Sequence, residues 1–140
     1  MSGRIFLFGD DIDTDQLAPG QYMRGGIEAL AAHCLEATRP AFSVDVQPGD
    51  IIVAGRNFGT GSSREQAVEA LLYLQVAGVV ALSFAGIFYR NAVNLGLPVL
   101  IAPSIDGAKD GDKASLQLTS SVLNLSDKNN DIALEPMPKN

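Results

Sequence analysis

Apolar positions along this chain fall in short blocks whose spacing changes character along its length. Arg4 to Phe8 is a short apolar run that predicts a strand, and Gly9 to Asp15 follows as an acidic turn. Ile27, Leu30, Ala31 and Cys34 recur at helical spacing, so a short helix is expected that extends at most to Ala37, with Pro40 barring continuation. Gln47-Pro48-Gly49-Asp50 reads as a turn. Ile51 to Ala54 lacks polar alternation, as in a strand buried on both faces. After the glycine-rich turn Gly55 to Gly61, Ser63 to Val76 predicts a helix with Ala67, Ala70, Leu71 and Leu74 on one face and Gly78 as its stop. Val79 to Ser83 then predicts a strand, Ala85 to Leu95 a helix stopped by Gly96, and Leu97 to Ile101 a third buried strand. This β-α-β-α-β order implies a parallel sheet with right-handed crossovers.

Beyond Pro103 the period becomes two. Asp106 to Asp112 is a polar loop, Lys113 to Leu118 and Ser121 to Leu125 alternate, Asp127 to Asp131 is a turn and Ile132 to Leu134 a last short strand. These segments predict antiparallel strands, and Glu135 to Asn140 a loose tail. The expected fold is α/β: a three-layer β/β/α domain over residues 1–140, with a parallel βαβαβ core and additional antiparallel strands.

Composition narrows the function. The chain has 140 residues, 46% of them hydrophobic and 19% charged, which is ordinary for one globular domain. A net charge of −6 argues against nucleic acid and anionic membrane as partners, since both need clustered Lys and Arg. One cysteine, Cys34, and one histidine, His33, exclude an internal disulfide, a cysteine-built cluster and a two-histidine zinc site within the chain. No signal-peptide run follows Met1, and Val76 to Tyr89 is too short and glycine-interrupted to span a bilayer, so a cytoplasmic location is expected.

The segment that carries chemistry is Gly59-Thr60-Gly61-Ser62-Ser63-Arg64-Glu65, which leads from a buried strand into a helix. It admits two readings. Ser62 and Glu65, three residues apart, form a capping-box pattern. Alternatively, a helix start, close backbone approach at Gly59 and Gly61, two hydroxyls and a guanidinium together suit a carboxylate. A phosphate loop is excluded because Ser62 stands where lysine is required, and a dinucleotide fingerprint because Arg64 replaces the third glycine. The Asp10 to Asp15 cluster is a solvated turn rather than a calcium loop, since Gln21 stands where a closing glutamate is needed. Tyr22-Met23-Arg24-Gly25-Gly26 is either a solvated loop or a mobile substrate-gripping loop hinged at its glycines.

Taken together, Asp10 to Gln16, Pro48 to Gly55, Asn57 to Glu65 and Ser83 to Ala92 resemble the small subunit of 3-isopropylmalate dehydratase, the swivelling domain of the aconitase superfamily. The resemblance covers residues 4–137 in order. It implies a heteromeric hydro-lyase that dehydrates and rehydrates a hydroxy di- or tricarboxylic acid and is active only with a large subunit. That partner would carry a [4Fe-4S] cluster, with no cofactor or metal on this chain. By resemblance Ser62 is the catalytic base, Ser63 and Arg64 bind substrate carboxylate, and Asp15, Gly59 and Gly61 support them. Arg24 pulls towards a homoaconitate-like tricarboxylate, whereas isopropylmalate enzymes tend to place apolar residues there. Thr60, Gln66 and Gly86 depart from the family's usual Cys, His and Arg, as in a divergent branch acting on, for example, a methyl-substituted malate. A non-catalytic carboxylate-binding module of the same fold is the competing expectation.

Overall fold

A computed structural model describes residues 2–137. The last three residues of the expected loose tail, 138–140, lie outside the described residues. The strands are β1 (Ser2–Leu7), β2 (Ile51–Ala54), β3 (Gly78–Ala81), β4 (Val99–Ile101), β5 (Lys113–Gln117), β6 (Val122–Leu125) and β7 (Asn130–Ala133). The helices are α1 (Thr14–Leu17), α2 (Gly26–Ala32), α3 (Phe42–Asp45), α4 (Glu65–Tyr73) and α5 (Gly86–Leu95), with 3-10 turns at Gly20–Gly25 and Ser126–Lys128.

The strands run in the order β4-β3-β2-β1-β5-β6-β7. The first four are parallel and the last three antiparallel, as the two periodicities require. β1 changes partner midway: Ser2 to Arg4 pair with β5, and Ile5 to Leu7 pair with β2. Side-chain alternation then sorts the core into two halves. Ile52, Ala54, Val79, Ala81 and Val99 face the helices, packing with Ala67, Leu71, Phe88 and Ala92. Ile5, Ile51, Val53, Val80 and Leu100 face the other way, against Ala114, Leu123, Leu125 and Ile132 of the antiparallel strands. The parallel sheet is therefore the middle layer of a β/β/α stack, which explains why β2 and β3 are apolar at every position.

Four local expectations are corrected. α4 begins at Glu65, not Ser63, with Arg64 as N-cap and no side-chain cap. It ends at Tyr73, where Gln75 takes the left-handed turn (φ 62°), so Gly78 is no helix stop but the first residue of β3. α2 ends at Ala32, and a run of turns follows in which Leu35 adopts φ 59°. α3 has no counterpart in the sequence reading. It forms after Pro40 because Phe42 inserts between Phe6 and Phe8, with ring centroids 5.1 and 5.7 Å away, edge-on to both.

Candidate active site

The glycine-rich turn is positioned from below by aromatic rings. Phe58 is buried and meets Phe84 and Phe88 edge-on at 6.0 and 5.3 Å. Its backbone is pinned to the β3–α5 connection, donating to the Ser83 carbonyl at 3.0 Å and accepting from Ala85 N–H at 2.9 Å. Gly59 lies directly on the Phe88 ring at φ 85°, so a side chain there meets both a steric and a backbone barrier. Gly61 has φ 108°, and a Cβ on it would sit 3.1 Å from Thr14 Oγ1.

The early acidic turn runs alongside. Asp13 and Thr60 form a parallel bridge, Thr14 N–H donates to the Thr60 carbonyl at 2.8 Å, and Gly59 N–H donates to Ile12 at 2.7 Å. The capping box expected at Ser62 and Glu65 is found here instead. Asp13 Oδ1 accepts from Gln16 N–H at 2.8 Å, while Gln16 Oε1 accepts from Asp13 N–H at 2.9 Å. The cluster is thus not simply a solvated turn. Asp13 caps α1, Asp10 accepts from Arg56 N–H at 2.7 Å, and Asp11 accepts from Asn57 Nδ2 at 3.1 Å.

Two contacts join this turn to the predicted chemistry. Ser62 Oγ lies 3.3 Å from Oγ1 of the buried Thr14, and either hydroxyl can donate. Arg64 Nη1 donates to Asp15 Oδ1 at 2.8 Å and to the Ala18 carbonyl at 3.0 Å. Asp15 Oδ1 also accepts from Gly20 N–H at 3.1 Å. The Arg64 hydrogen bond, then the Gly20 amide, hold the Asp15 carboxyl below its ordinary value, against a small opposing effect of burial. Ser62 and Ser63 are exposed, so the hydroxyls and guanidinium sit on an open shelf. The hollow of about 260 Å³ lined by Arg4, Phe6, Arg39 and Asp45 includes none of these residues.

Gly59, Gly61, Ser62, Ser63 and Arg64 lie on one turn, and the fold brings Asp15 to it through Arg64. Arg24 is exposed on the 3-10 turn and forms no ion pair among the described residues. Its loop is anchored rather than free: Tyr22 stacks on His33 with centroids 3.6 Å apart, and Met23 packs against the core. Thr14 is the residue that sequence reasoning missed. Thr60 serves the site through its backbone, and a Cβ at Gly86 would make only ordinary contact, 3.6 Å from Arg90, so packing does not demand glycine there.

The donor set does not fit an iron–sulfur cluster. Cys34 is fully buried, and burial pushes its thiol far above the usual range. Among the described residues no group of three His, Cys, Asp or Glu converges as metal ligands. No helix among them is long and apolar enough to cross a membrane.

The family described as "Aconitase C-terminal domain" matches residues 17–103. The methanogen homoaconitase small subunit of Methanothermobacter thermautotrophicus is 55% identical over 119 residues, covering 84% of this chain and 69% of that protein. The 3-isopropylmalate dehydratase small subunit 1 of Thermotoga maritima is 46% identical over 139 residues, covering 98% of this chain and 84% of that protein. A crystal structure of 3-isopropylmalate dehydratase from Methanocaldococcus jannaschii superposes with a TM-score of 0.92 at 47% identity, covering 99% of this chain and 83% of that one.

Proposed function

The chain belongs to the aconitase C-terminal domain family, and from that premise we propose that it is the small subunit of a heteromeric hydro-lyase of the 3-isopropylmalate dehydratase type. The observation that carries the reading is the exposed shelf of Ser62 and Ser63 beside an Arg64 guanidinium fixed by Asp15 and Ala18. Ser62 is the base. It takes the proton from the carbon beside a substrate carboxylate; the C–H electrons form the double bond as hydroxide departs from the neighbouring carbon, and readdition of water runs the steps in reverse. Arg64 has Nη1 committed to the protein, which leaves its Nη2–Nε edge for a bidentate grip on the carboxylate. That grip also neutralises charge developing during proton removal. Ser63 supplies a second hydroxyl, and Gly59 and Gly61 let the turn that carries it pack closely on Phe88 and Thr14.

The chain acts as one swivelling unit over residues 1–140 and works in the cytoplasm with a large subunit. A [4Fe-4S] cluster would belong to that partner, where it would supply Lewis-acid chemistry for the departing hydroxyl; among the described residues this chain offers no ligand set for it. An activity on 3-isopropylmalate would place the protein in leucine biosynthesis. A homoaconitase-like substrate is the second reading, favoured by the exposed Arg24, which forms no ion pair among the described residues and suits the additional carboxylate of a tricarboxylic acid.

The test is turnover. The chain is combined anaerobically with the large subunit encoded nearest to it, and the unsaturated acid's ultraviolet absorbance is followed over isopropylmalate, homocitrate, citrate and methyl-substituted malates. Signal with one of them is expected. Arg24→Val is expected to move preference from a tricarboxylate towards an alkyl-malate, and an unmoved preference removes Arg24 from specificity. Silence across the panel, with the complex assembled and its cluster intact, favours the non-catalytic carboxylate-binding module.

A further inference from the structure

We propose that Thr14 is the positioning residue for Ser62: its hydroxyl holds the Ser62 oxygen in place and donates to it when that oxygen carries charge. The proposal rests on the reading of Ser62 as the base. Thr14 is only 3% exposed, and its Oγ1 has one side-chain partner among the described residues, Ser62 Oγ at 3.3 Å. The two residues stand 48 positions apart, so the contact is made by the fold and not by local chain geometry.

Thr14 is held more firmly than the residue it touches. Its N–H donates to the Thr60 carbonyl at 2.8 Å, its carbonyl accepts from Ala18 N–H at 2.9 Å, and Asp13 caps the turn in which it sits. Ser62, by contrast, is exposed on a loop and caps no helix. Gly61 completes the arrangement, since a Cβ there would crowd Thr14 Oγ1 at 3.1 Å. A buried hydroxyl on a fixed backbone is thus aimed at an otherwise loosely held one.

The chemistry then selects the direction of the bond. With Ser62 neutral, either oxygen can donate. To act as a base Ser62 first loses its own proton to solvent, and its oxygen is then an acceptor only. Thr14 has one proton to offer and turns it towards that oxygen. A charge-assisted bond of this kind is shorter and roughly twice as strong as a neutral one. Because the donor is already in place and shielded from water, little reorganisation is needed when the charge forms.

The experiment compares Thr14→Val, Thr14→Ser and Ser62→Ala in the enzyme assembled with its large subunit. Removing one preorganised donor typically lowers kcat by about 100-fold or more; for this 3.3 Å contact the expectation is a loss of about 10- to 100-fold in Thr14→Val. KM should stay within about twofold, and Thr14→Ser should recover most of the rate. The primary deuterium isotope effect, read with substrate deuterated at the carbon that loses its proton, should rise in Thr14→Val because proton removal becomes more rate-limiting. A role in packing alone would not move it. Should Thr14→Val fail to fold, Thr14→Ala carries the same comparison. Unchanged kcat and isotope effect in the hydroxyl-free variant overturn the proposal, as does an equal loss in Thr14→Ser. Full activity in Ser62→Ala would instead remove the base assignment itself, a result distinguishable from wild-type behaviour of the Thr14 variants beside an inactive Ser62→Ala.

Discussion

At Ser62 two roles are open, helix cap and catalytic base, and the structure bears on the first. As a helix cap its removal would cost about 0.5–2 kcal/mol. In the structure it caps nothing, because Arg64 occupies the N-cap position and Ser62 is exposed. Ser62→Ala should therefore cost stability only through the partner lost by the buried Thr14 hydroxyl, about 1 kcal/mol, while turnover falls by about 100- to 10,000-fold, the usual range for a lost general base. Urea denaturation of the isolated chain and initial rates of the assembled enzyme separate the two effects. Arg64 behaves differently, since one guanidinium ties the early turn to the glycine-rich loop and, in the proposed function, also grips the substrate carboxylate. Arg64→Lys keeps the charge but not the planar fork. The expected result is a rise in KM of about 10-fold or more, a factor equal to about 1.4 kcal/mol of binding. An unchanged KM would mean that substrate carboxylate does not contact Arg64.

Among the elements, the turn that carries Gly59 is held by packing rather than by propensity. Gly59 sits at φ 85° directly on the Phe88 ring, so Gly59→Ala incurs about 1–2 kcal/mol of left-handed strain as well as a displacement of Phe88. Both melting temperature and turnover should drop, and a variant with wild-type values would show that the loop tolerates a side chain. The strands of the parallel sheet were readable because a middle layer needs apolar residues on both faces, and β2 and β3 supply them without interruption. Helix ends were less readable. Gly78 looked like a stop, yet it opens β3 against the Pro98 carbonyl and Leu116, contacts that depend on a strand and a loop remote in sequence. α3 is formed by the demand for Phe42 between Phe6 and Phe8, which four residues of local pattern do not reveal. The same limit applies to the site. Ser62, Ser63 and Arg64 stood out as a local motif, and the early turn as an acidic one. Their junctions, Thr14 to Ser62 and Asp15 to Arg64, span 48 and 49 positions and exist only once β1 and β2 pair.

For the whole molecule, acidic side chains tie together segments remote in sequence, and this sets how stability responds to pH. Asp110 accepts both outer nitrogens of Arg39, with Nη2 to Oδ2 at 2.9 Å, and also accepts from Leu7 N–H at 2.9 Å, fastening the segment before β5 to β1 and to the stretch preceding α3. Asp112 accepts from Lys128 Nζ and from Lys109 N–H, both at 2.9 Å. Hydrogen bonds from Arg39, Lys128 and Arg64 hold the carboxyls of Asp110, Asp112 and Asp15 respectively below the ordinary 3.8. A carboxyl whose pKa is lower folded than unfolded stabilises the fold fully above its unfolded value and loses that contribution as pH falls through its folded value. The three contributions are therefore intact at pH 6 and drain away below about pH 4. Asp110→Asn tests the tie to Arg39. Arg39 and Asp110 are 32% and 45% exposed, so solvent screening limits the loss at pH 6 to about 1 kcal/mol or less. The gap between wild type and variant should close as pH is lowered towards 2, because the wild-type carboxyl is then neutral as well. Urea midpoints at pH 6 and pH 2.5 measure this directly. A gap that persists undiminished at low pH would show that Asp110 acts through the shape of its hydrogen bonds rather than its charge, and the acid sensitivity of the fold would then have to come from other carboxylates.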